Sequence, residues 1–255
     1  MTSKCLGCRD GAALEFSIRA AFQPIVDLGT QAPYAYEALV RGPAGEGAAT
    51  VLAQVTATNR YAFDQACRVA AIREAVAAGL LDTESCLSIN FLPNAVYSPV
   101  ACIQLTLQTA REVGLPPERL IFEFTENEKI DPDHLRGIVH AYRKMGFRTA
   151  IDDFGAGHSG LALLADLQTD IIKLDMDLVR GIDESLPRRI ILEGILNMTA
   201  KLGIRVVAEG VETESELAAL QSLGVRYVQG YLLAKPALGA LPKIHNLRSS
   251  SAKAA

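Results

Sequence analysis

The stretch Ala150-Ile151-Asp152-Asp153-Phe154-Gly155-Ala156-Gly157 runs from an apolar segment into two adjacent carboxylates and then into a glycine-rich loop. Its first residues are typical of a buried β-strand, and its glycines predict a turn after the strand. Two neighbouring acids repel each other, so a strand that ends in both indicates a bound cation. Taken alone, the pair fits equally a solvent-exposed strand end at which Asp153 caps the following helix.

The same unit recurs along the chain: an apolar run, a polar residue, a loop and an amphipathic helix. The predicted strands lie at 86–90, 120–124, 149–152, 170–175, 205–209 and 227–230. The helices that follow them are predicted near 99–113, 132–145, 159–167, 187–202 and 213–223, with a short one at the C-terminus. Glycines follow several of these helices, as expected for left-handed C-caps.

Two further strands, 22–26 and 34–41, open the chain as a hairpin and precede a helix at 62–81. Strands that alternate with helices form a parallel sheet, and about eight such units match a TIM-type barrel. No GxGxxG motif follows the first strand, which disfavours a dinucleotide-binding sheet. We therefore predict an α/β fold, a modified TIM (β/α)8 barrel whose opening strand is irregular and antiparallel.

Composition and charge exclude several classes of protein. The chain has 255 residues, of which 49% are hydrophobic and 21% charged, which suits one large domain. Its net charge of −4 gives no general attraction to a nucleic-acid polymer or to an anionic membrane. No apolar run reaches the roughly 18 residues of a membrane span, and Lys4 and Arg9 stand where a secretory signal is apolar. We predict a soluble, cytoplasmic protein.

The two ends of the chain differ from its middle. We expect a flexible leader at 1–15, the barrel at 16–242 and a flexible tail at 243–255. Five scattered cysteines argue against a disulfide framework. Cys5 and Cys8 have the spacing of half a zinc knuckle, but no second pair follows them, so reduced thiols in the leader are the favoured interpretation.

In such a barrel the carboxyl ends of the strands meet at one face, where they form the site. The residues delivered there are five carboxylates, one amide and one lysine: Glu37, Asn90, Glu123, Asp152, Asp153, Lys173 and Glu209. Histidine is absent from this set, so zinc fits poorly, whereas oxygen donors favour magnesium or manganese. Each residue alone has an ordinary alternative, such as a turn at Asn90 or a simple Glu123–Lys173 pair.

Together, five carboxylates beside one lysine need more positive charge, and two divalent cations nearly supply it. A two-metal site suits phosphodiester hydrolysis. In that reaction Arg41 would hold a phosphate oxygen, and a protonated Lys173 would orient the attacking water. A carbon-acid enzyme with Lys173 as its base is an alternative that these residues alone leave open.

Three motifs occur in order: Glu37-Ala38-Leu39-Val40-Arg41, Asp152-Asp153-Phe154-Gly155 and Ala208-Glu209-Gly210-Val211-Glu212. With further matches at 22–25, Asn90, 123–126, 172–175 and 229–232, they resemble the EAL-domain cyclic di-GMP phosphodiesterases. The resemblance implies hydrolysis of cyclic di-GMP to linear pGpG with two divalent cations, Mg²⁺ or Mn²⁺, and inhibition by Ca²⁺.

The resemblance also implies a role for each matching residue. The metal ligands would be Glu37, Asn90, Glu123, Asp152, Asp153 and Glu209. The catalytic set would be Glu37, Asp152, Asp153, Lys173 and Glu209. The substrate contacts would be Gln23, Arg41 and Gln229, with Asp175 orienting Lys173, and Glu126 and Glu212 steadying the loop after the Asp pair.

The chain departs from the family at His158 and Gly160, where the family more often has Tyr and Ser. This gives a looser loop but keeps every metal position. The family commonly dimerises through this region, so we expect a homodimer. Family members often carry a cyclase domain or a sensor, for which this chain is too short, so we expect a stand-alone or excised catalytic domain with an unidentified sensor partner. The alternative is a silent receptor for cyclic di-GMP, but such modules typically lose a metal ligand or the lysine.

Overall fold

The computed structural model describes residues 14–125, 131–157 and 160–245. Within them, strands alternate with helices, as the sequence predicts. The strands are β1 (Arg19–Asp27), β2 (Ala32–Arg41), β3 (Cys86–Asn90), β4 (Leu120–Thr125), β5 (Arg148–Phe154), β6 (Ile171–Leu174), β7 (Arg205–Ala208), β8 (Tyr227–Val228) and β9 (Ala237–Leu238). The helices are α1 (Ala48–Leu52), α2 (Arg60–Ala77), α3 (Pro99–Cys102), α4 (Gln104–Val113), α5 (Pro132–Lys144), α6 (Gly160–Asp166), α7 (Met176–Val179), α8 (Leu186–Leu202) and α9 (Glu214–Ser222).

Some predictions concern residues beyond these ranges. Those for Cys5, Cys8, Glu126 and His158 lie outside the described residues, as do 1–13 of the leader and 246–255 of the tail. Ile244, in the described part of the predicted tail, packs against the barrel core. Among the helices that the structure describes, none is long and apolar enough to cross a membrane.

The strands form a closed, mixed barrel. They are hydrogen-bonded in the order β2-β3-β4-β5-β6-β7-β8-β1, and β1 closes the ring by pairing with β2 as well. The pairings from β2 to β8 are parallel. Strand β1 runs antiparallel to both its barrel neighbours, and β9 extends the sheet along β1. This confirms the predicted TIM-like barrel with an antiparallel opening strand.

The barrel closes at a short seam between β1 and β8. Two residue pairs join these strands, Val26 with Val228 and Asp27 with Tyr227. An ion pair reinforces the seam, because Arg226 Nη2 lies 2.7 Å from Asp27 Oδ2. The hydrogen bonds from Arg226 hold the pKa of Asp27 below its usual value. The seam therefore combines backbone pairing with a charged contact.

The apolar core has two parts, one on each side of the sheet. The larger part lies between the barrel and its helices and includes Phe22, Leu87 and Phe122. The smaller part fills the inside of the barrel and consists of Ile25, Ala35, Cys86, Ile121, Ala150, Ile171 and Val207. Burial on both faces explains why the strands read as continuous apolar runs.

Two helix predictions need correction. The short helix predicted after β8 is wrong, because the described chain up to residue 245 turns there and then forms β9 against β1. Pro236 and Pro242 lack the backbone N–H that a helix uses, which explains the difference. The helix predicted near 99–113 is divided at Ile103 into α3 and α4.

Candidate active site

Each parallel strand brings one polar side chain into the barrel, two residues after its interior core residue. Successive side chains alternate between the two faces of a strand, so residues i and i+2 point the same way. The pairs are Ala35 and Glu37, Cys86 and Ser88, Ile121 and Glu123, Ala150 and Asp152, Ile171 and Lys173, Val207 and Glu209, and Tyr227 and Gln229. On the antiparallel β1 the order is reversed, and Gln23 precedes Ile25. A polar layer therefore covers the apolar interior at the carboxyl ends of the parallel strands.

Lys173 lies at the centre of this polar layer. Its Nζ is 2.6 Å from Glu209 Oε1, 2.9 Å from Glu123 Oε2, 3.0 Å from Asp152 Oδ1 and 3.3 Å from Glu37 Oε2. Burial alone would favour the neutral amine, but the four carboxylates outweigh it and raise the pKa of Lys173 well above its ordinary value. The side chain is therefore a fixed cation and hydrogen-bond donor.

Glu37 is held at both of its carboxylate oxygens. Asn90 Nδ2 donates to Oε1 at 2.9 Å, and Gln229 Nε2 donates to Oε2 at 2.8 Å. Gln229 Nε2 also lies 3.2 Å from Gln23 Oε1. Burial opposes the charge of Glu37, but Lys173 and the two amides outweigh it and lower the pKa of this carboxyl group. Glu37 is therefore ionised and fixed in direction, as metal ligation requires.

Glu123 has a partner that the sequence analysis did not predict. The Ser88 hydroxyl donates a hydrogen bond to Glu123 Oε1. Burial, above all, and the nearby charges of Glu37 and Asp152 raise the pKa of Glu123 to about 8. Ser88 lies two residues before Asn90 on β3, so the alternation of that strand is the signal that could have identified it.

The two adjacent acids face one site, although a regular strand would direct them to opposite faces. The register of β5 with β6 shifts between Ile151 and Phe154, and Asp153 has a left-handed φ of 53°. This irregularity lets both carboxylates turn toward Glu209. Burial, and next the charge of Asp152, raise the pKa of Asp153 to about 6.

The carboxylates form two groups that share Asp152. One group is Glu37, Glu123 and Asp152, and the other is Asp152, Asp153 and Glu209, with the ligand oxygens of each group within 4.8 Å of one another. Five negative charges and the one positive charge of Lys173 leave the ionised set at −4. Such oxygen donors fit magnesium or manganese, and two divalent cations would neutralise the set. The residues therefore have the chemistry that the predicted two-cation site needs.

Comparison with known proteins places the chain in a family. The sequence profile of the EAL domain matches residues 13–236. The chain belongs to the EAL-domain family.

Two relatives from Escherichia coli resemble the chain. It is 34% identical over 225 residues to the blue light- and temperature-regulated antirepressor BluF, and the aligned residues make up 88% of this chain and 55% of BluF. It is 35% identical over 162 residues to the probable cyclic di-GMP phosphodiesterase PdeB of the same organism, covering 64% of this chain and 30% of PdeB. This EAL domain thus spans about half, or less, of the length of these relatives.

Two solved structures resemble the EAL domain closely. One is a standalone versatile EAL protein from Vibrio cholerae in its cyclic di-GMP bound form, with a TM-score of 0.88 and 48% identity over 91% of this chain and 98% of that one. The other is BlrP1 from Klebsiella pneumoniae in complex with manganese and cyclic di-GMP, with a TM-score of 0.82 and 36% identity over 90% of this chain and 58% of that one.

Two predicted residues of this EAL domain bond to groups outside the carboxylate layer. Arg41 is on the last position of β2, and its Nη1 donates to the carbonyl oxygen of Val40 at 2.8 Å. Glu212 follows β7, and its Oε1 lies 2.9 Å from Arg180 Nη2. The substrate contact of Arg41 and the loop-supporting role of Glu212 stay predictions.

Asp175 has a local partner. Its Oδ1 accepts a hydrogen bond from the backbone N–H of Asp177 at 2.8 Å, which caps α7. No ion pair joins it to Lys173 within the described part of the chain, because the ion pairs of that lysine come from the four carboxylates. The orienting role of Asp175 therefore stays a prediction, without a direct contact to support it.

A cavity of about 280 Å³ opens beside Asn90. It lies between α2 and the ends of β2 and β3, and its walls include Leu39, Leu52, Phe63 and Phe91. Apolar walls with a few polar groups at the edge are typical of ligand pockets. The EAL domain therefore has space for an organic group beside Asn90, although none of the five carboxylates lines the cavity.

Proposed function

We propose that this EAL domain hydrolyses cyclic di-GMP to linear pGpG with two divalent cations, Mg²⁺ or Mn²⁺. The proposal is carried by the two clusters of carboxylates that share Asp152. The single positive charge of Lys173 cannot neutralise the five carboxylates of these clusters. The manganese and cyclic di-GMP bound to BlrP1, and the description of PdeB as a probable phosphodiesterase, support it.

The cations, when bound, would lower the pKa of a water molecule and offset charge on the phosphate. The residues of the chain hold the frame for this chemistry. Asn90 and Gln229 fix the direction of Glu37, and Lys173 holds four carboxylates around one ammonium group. As a donor, Lys173 can orient a water or a phosphate oxygen beside them. The apolar cavity next to Asn90 can bury a base of the dinucleotide.

The protonation of Lys173 argues against the carbon-acid enzyme that the sequence alone left open. A general base must be able to take up a proton near the working pH. The pKa of Lys173 is raised well above its ordinary value, since the neighbouring carboxylates outweigh the effect of burial. In the metal-free chain the lysine is therefore a hydrogen-bond donor, which suits the phosphodiesterase better than the carbon-acid enzyme.

The second candidate function is a receptor that binds cyclic di-GMP without cleaving it. The relative BluF is described as an antirepressor rather than as an enzyme, and it is 34% identical over 225 residues. Against this, Lys173 and all six predicted metal ligands are present. Cleavage, as opposed to binding alone, distinguishes the two functions.

We also propose a homodimer. Leu161, Leu186 and Ile190 are 64%, 68% and 58% exposed on α6 and α8, the helices that follow the Asp pair and β6. Large apolar side chains in such a position suit contact with a second copy of the chain. Because BluF is described as light- and temperature-regulated, control by a sensor partner is part of the proposal.

The test is incubation of the purified chain with cyclic di-GMP in Mg²⁺, Mn²⁺, Ca²⁺ or EDTA, followed by chromatographic separation of products. We expect pGpG with Mg²⁺ or Mn²⁺ and none with Ca²⁺ or EDTA. The matched control is Glu37→Gln, which keeps the shape of the side chain and removes its charge, and we expect it to abolish cleavage. Binding without cleavage in every condition would favour the receptor, and no binding would reject both functions.

A further inference from the structure

A buried ion pair lies on α2, outside the carboxylate layer. Arg68 Nη2 is 2.7 Å from Asp64 Oδ2, and the two side chains are 0% and 1% exposed. An ion pair this deeply buried loses its hydration, and an apolar pair of similar volume is often at least as stable. Stability alone therefore does not explain why this ion pair is present, and the other contacts of Asp64 and Arg68 indicate a second role.

The two side chains hold the chain that follows β3. Asp64 Oδ1 accepts a hydrogen bond from the backbone N–H of Leu92 at 2.9 Å. The Arg68 guanidinium lies 5.5 Å from the ring centroid of Phe91, and its Nη1 donates to the Tyr142 hydroxyl at 3.2 Å. The pair thus connects α2 and α5 to the residues directly after the strand end.

Residues 90–92 are fixed one after another. The Asn90 amide donates to Glu37 at 2.9 Å, the backbone N–H of Phe91 donates to the carbonyl of Glu123 at 2.9 Å, and Leu92 donates to Asp64. The last contact anchors this run to a helix rather than to the sheet. Without it, the strand end would keep its bonds to Glu37 and Glu123 but lose its link to α2, and the Asn90 side chain would be held less firmly in one direction.

We propose that Asp64, supported by Arg68, is a positioning residue that holds Asn90 in place for a divalent cation. The inference rests on the proposed function, because it takes Asn90 as a metal ligand. Partners of this kind, which orient a ligand without touching the metal, change metal affinity by about 10–100-fold when they are removed.

The test measures Mn²⁺ binding directly by isothermal titration calorimetry, in the absence of substrate. The substitution of both charges, Asp64→Leu with Arg68→Met, leaves no buried unpaired charge but removes the acceptor of Leu92 N–H. We expect the dissociation constant for Mn²⁺ to rise about tenfold. In an Asn90→Ala background the same two substitutions should change it by less than about twofold, because the ligand to be positioned is gone.

Two further variants separate positioning from stability. Asp64→Asn keeps an acceptor for Leu92 but leaves Arg68 without a counter-charge, so we expect a lower melting temperature with Mn²⁺ affinity retained. Arg73→Met breaks an exposed ion pair that joins α2 to Glu112 on α4, and we expect no change in Mn²⁺ affinity.

Unchanged Mn²⁺ affinity in the variant with Asp64→Leu and Arg68→Met would overturn the inference. So would an equal loss of affinity from these substitutions in the Asn90→Ala background, or an equal loss of affinity in Asp64→Asn. An unsubstituted chain that binds no Mn²⁺ would reject the proposed two-cation site itself. A chain that binds Mn²⁺ but cleaves nothing would reject only the enzymatic function, and the positioning test would stand.

Discussion

Lys173 Nζ lies 2.6 Å from Glu209 Oε1, the shortest of its four ion pairs, and joins β6 to the residue that follows β7. The same ammonium group contacts carboxylates from β2, β4 and β5. One side chain therefore balances acids from several strands, and its removal affects all of them at once.

Lys173→Met should abolish hydrolysis and destabilise the metal-free protein by about 3 kcal/mol at pH 8, because it leaves buried carboxylates without a counter-charge. Mn²⁺ should raise the melting temperature of this variant more than that of the unsubstituted chain. Calorimetry with EDTA and with Mn²⁺ measures both effects. The exposed Lys201→Met on α8 is the control and should change neither. Equal melting temperatures for the two variants in EDTA would contradict the central role of Lys173.

The stability of the metal-free protein should fall as the pH rises from about 5 to about 8. The folded-state pKa of Glu123 is about 8, against an ordinary value of 4.5, because the group is buried. Between these two pKa values the folded state keeps a proton that the unfolded state has lost. The stabilisation from this proton is complete below pH 4.5 and is lost as the pH rises to about 8. Each such group contributes a slope of about 1.4 kcal/mol per pH unit.

Urea unfolding in EDTA at several pH values measures this slope, to which the raised pKa of Asp153 contributes at lower pH. Glu123→Gln should flatten the slope, since the amide does not titrate. Saturating Mn²⁺ should do the same if the carboxylates bind it. A stability that rises between pH 5 and pH 8 in EDTA would be inconsistent with the buried carboxylate layer.

Gly230→Ala should prevent normal folding. A Cβ at this position would lie 2.0 Å from the carbonyl oxygen of Val211 and 2.4 Å from its nitrogen, and these backbone atoms cannot move aside easily. We expect a loss of at least about 4 kcal/mol, or insoluble protein. Gly194→Ala, inside α8, is the matched control, because apart from the adjacent residues and nearby backbone of the helix itself no described atom lies within 4 Å of its Cβ. That change should stabilise the helix by about 0.5–1 kcal/mol. Thermal unfolding of both variants checks the pair of expectations.

Ile190→Asp should weaken the proposed homodimer, because it places a charge on the exposed apolar face of α8. Sedimentation velocity over a range of concentrations measures the dimer fraction. Leu105→Asp changes a residue on α4 that is 44% exposed and should leave the dimer fraction unchanged. A dimer that survives Ile190→Asp and not Leu105→Asp would place the interface elsewhere.

The sequence was sufficient for the barrel because its signals are local and repeated. Each strand is an apolar run that ends at a polar residue, and each loop contains turn-forming residues. The strand ends supply the acids, so Glu37, Glu123, Asp152 and Glu209 could be placed around Lys173 before any coordinates were known. What the sequence could not provide were contacts between residues that carry no local signal.

Three details illustrate that limit. Ser88 looks like an ordinary strand residue until its hydroxyl is seen to donate to Glu123. The left-handed backbone of Asp153, which turns both acids to one face, occurs where the register of β5 with β6 shifts, and no local sequence signal marks that shift. The buried ion pair of Asp64 with Arg68 lies in a helix whose sequence is typical of an amphipathic helix. Only the three-dimensional contacts show that these two charged side chains face the core.

Closure of the barrel at the β1–β8 seam has a consequence for the order in which the protein matures. In an open sheet, Glu37 on β2 and Lys173 on β6 are separated by four strand spacings, on the order of 19 Å. In the closed ring their charged atoms are 3.3 Å apart. The pairing of β1 with β8 joins residues 26–27 to residues 227–228, which are far apart along the chain, and such non-local pairings are slow to form because loop-closure entropy is lost first. Before the ring closes, the acid of β2 and the lysine of β6 are therefore apart, and the proposed two-cation site exists only once the barrel is complete.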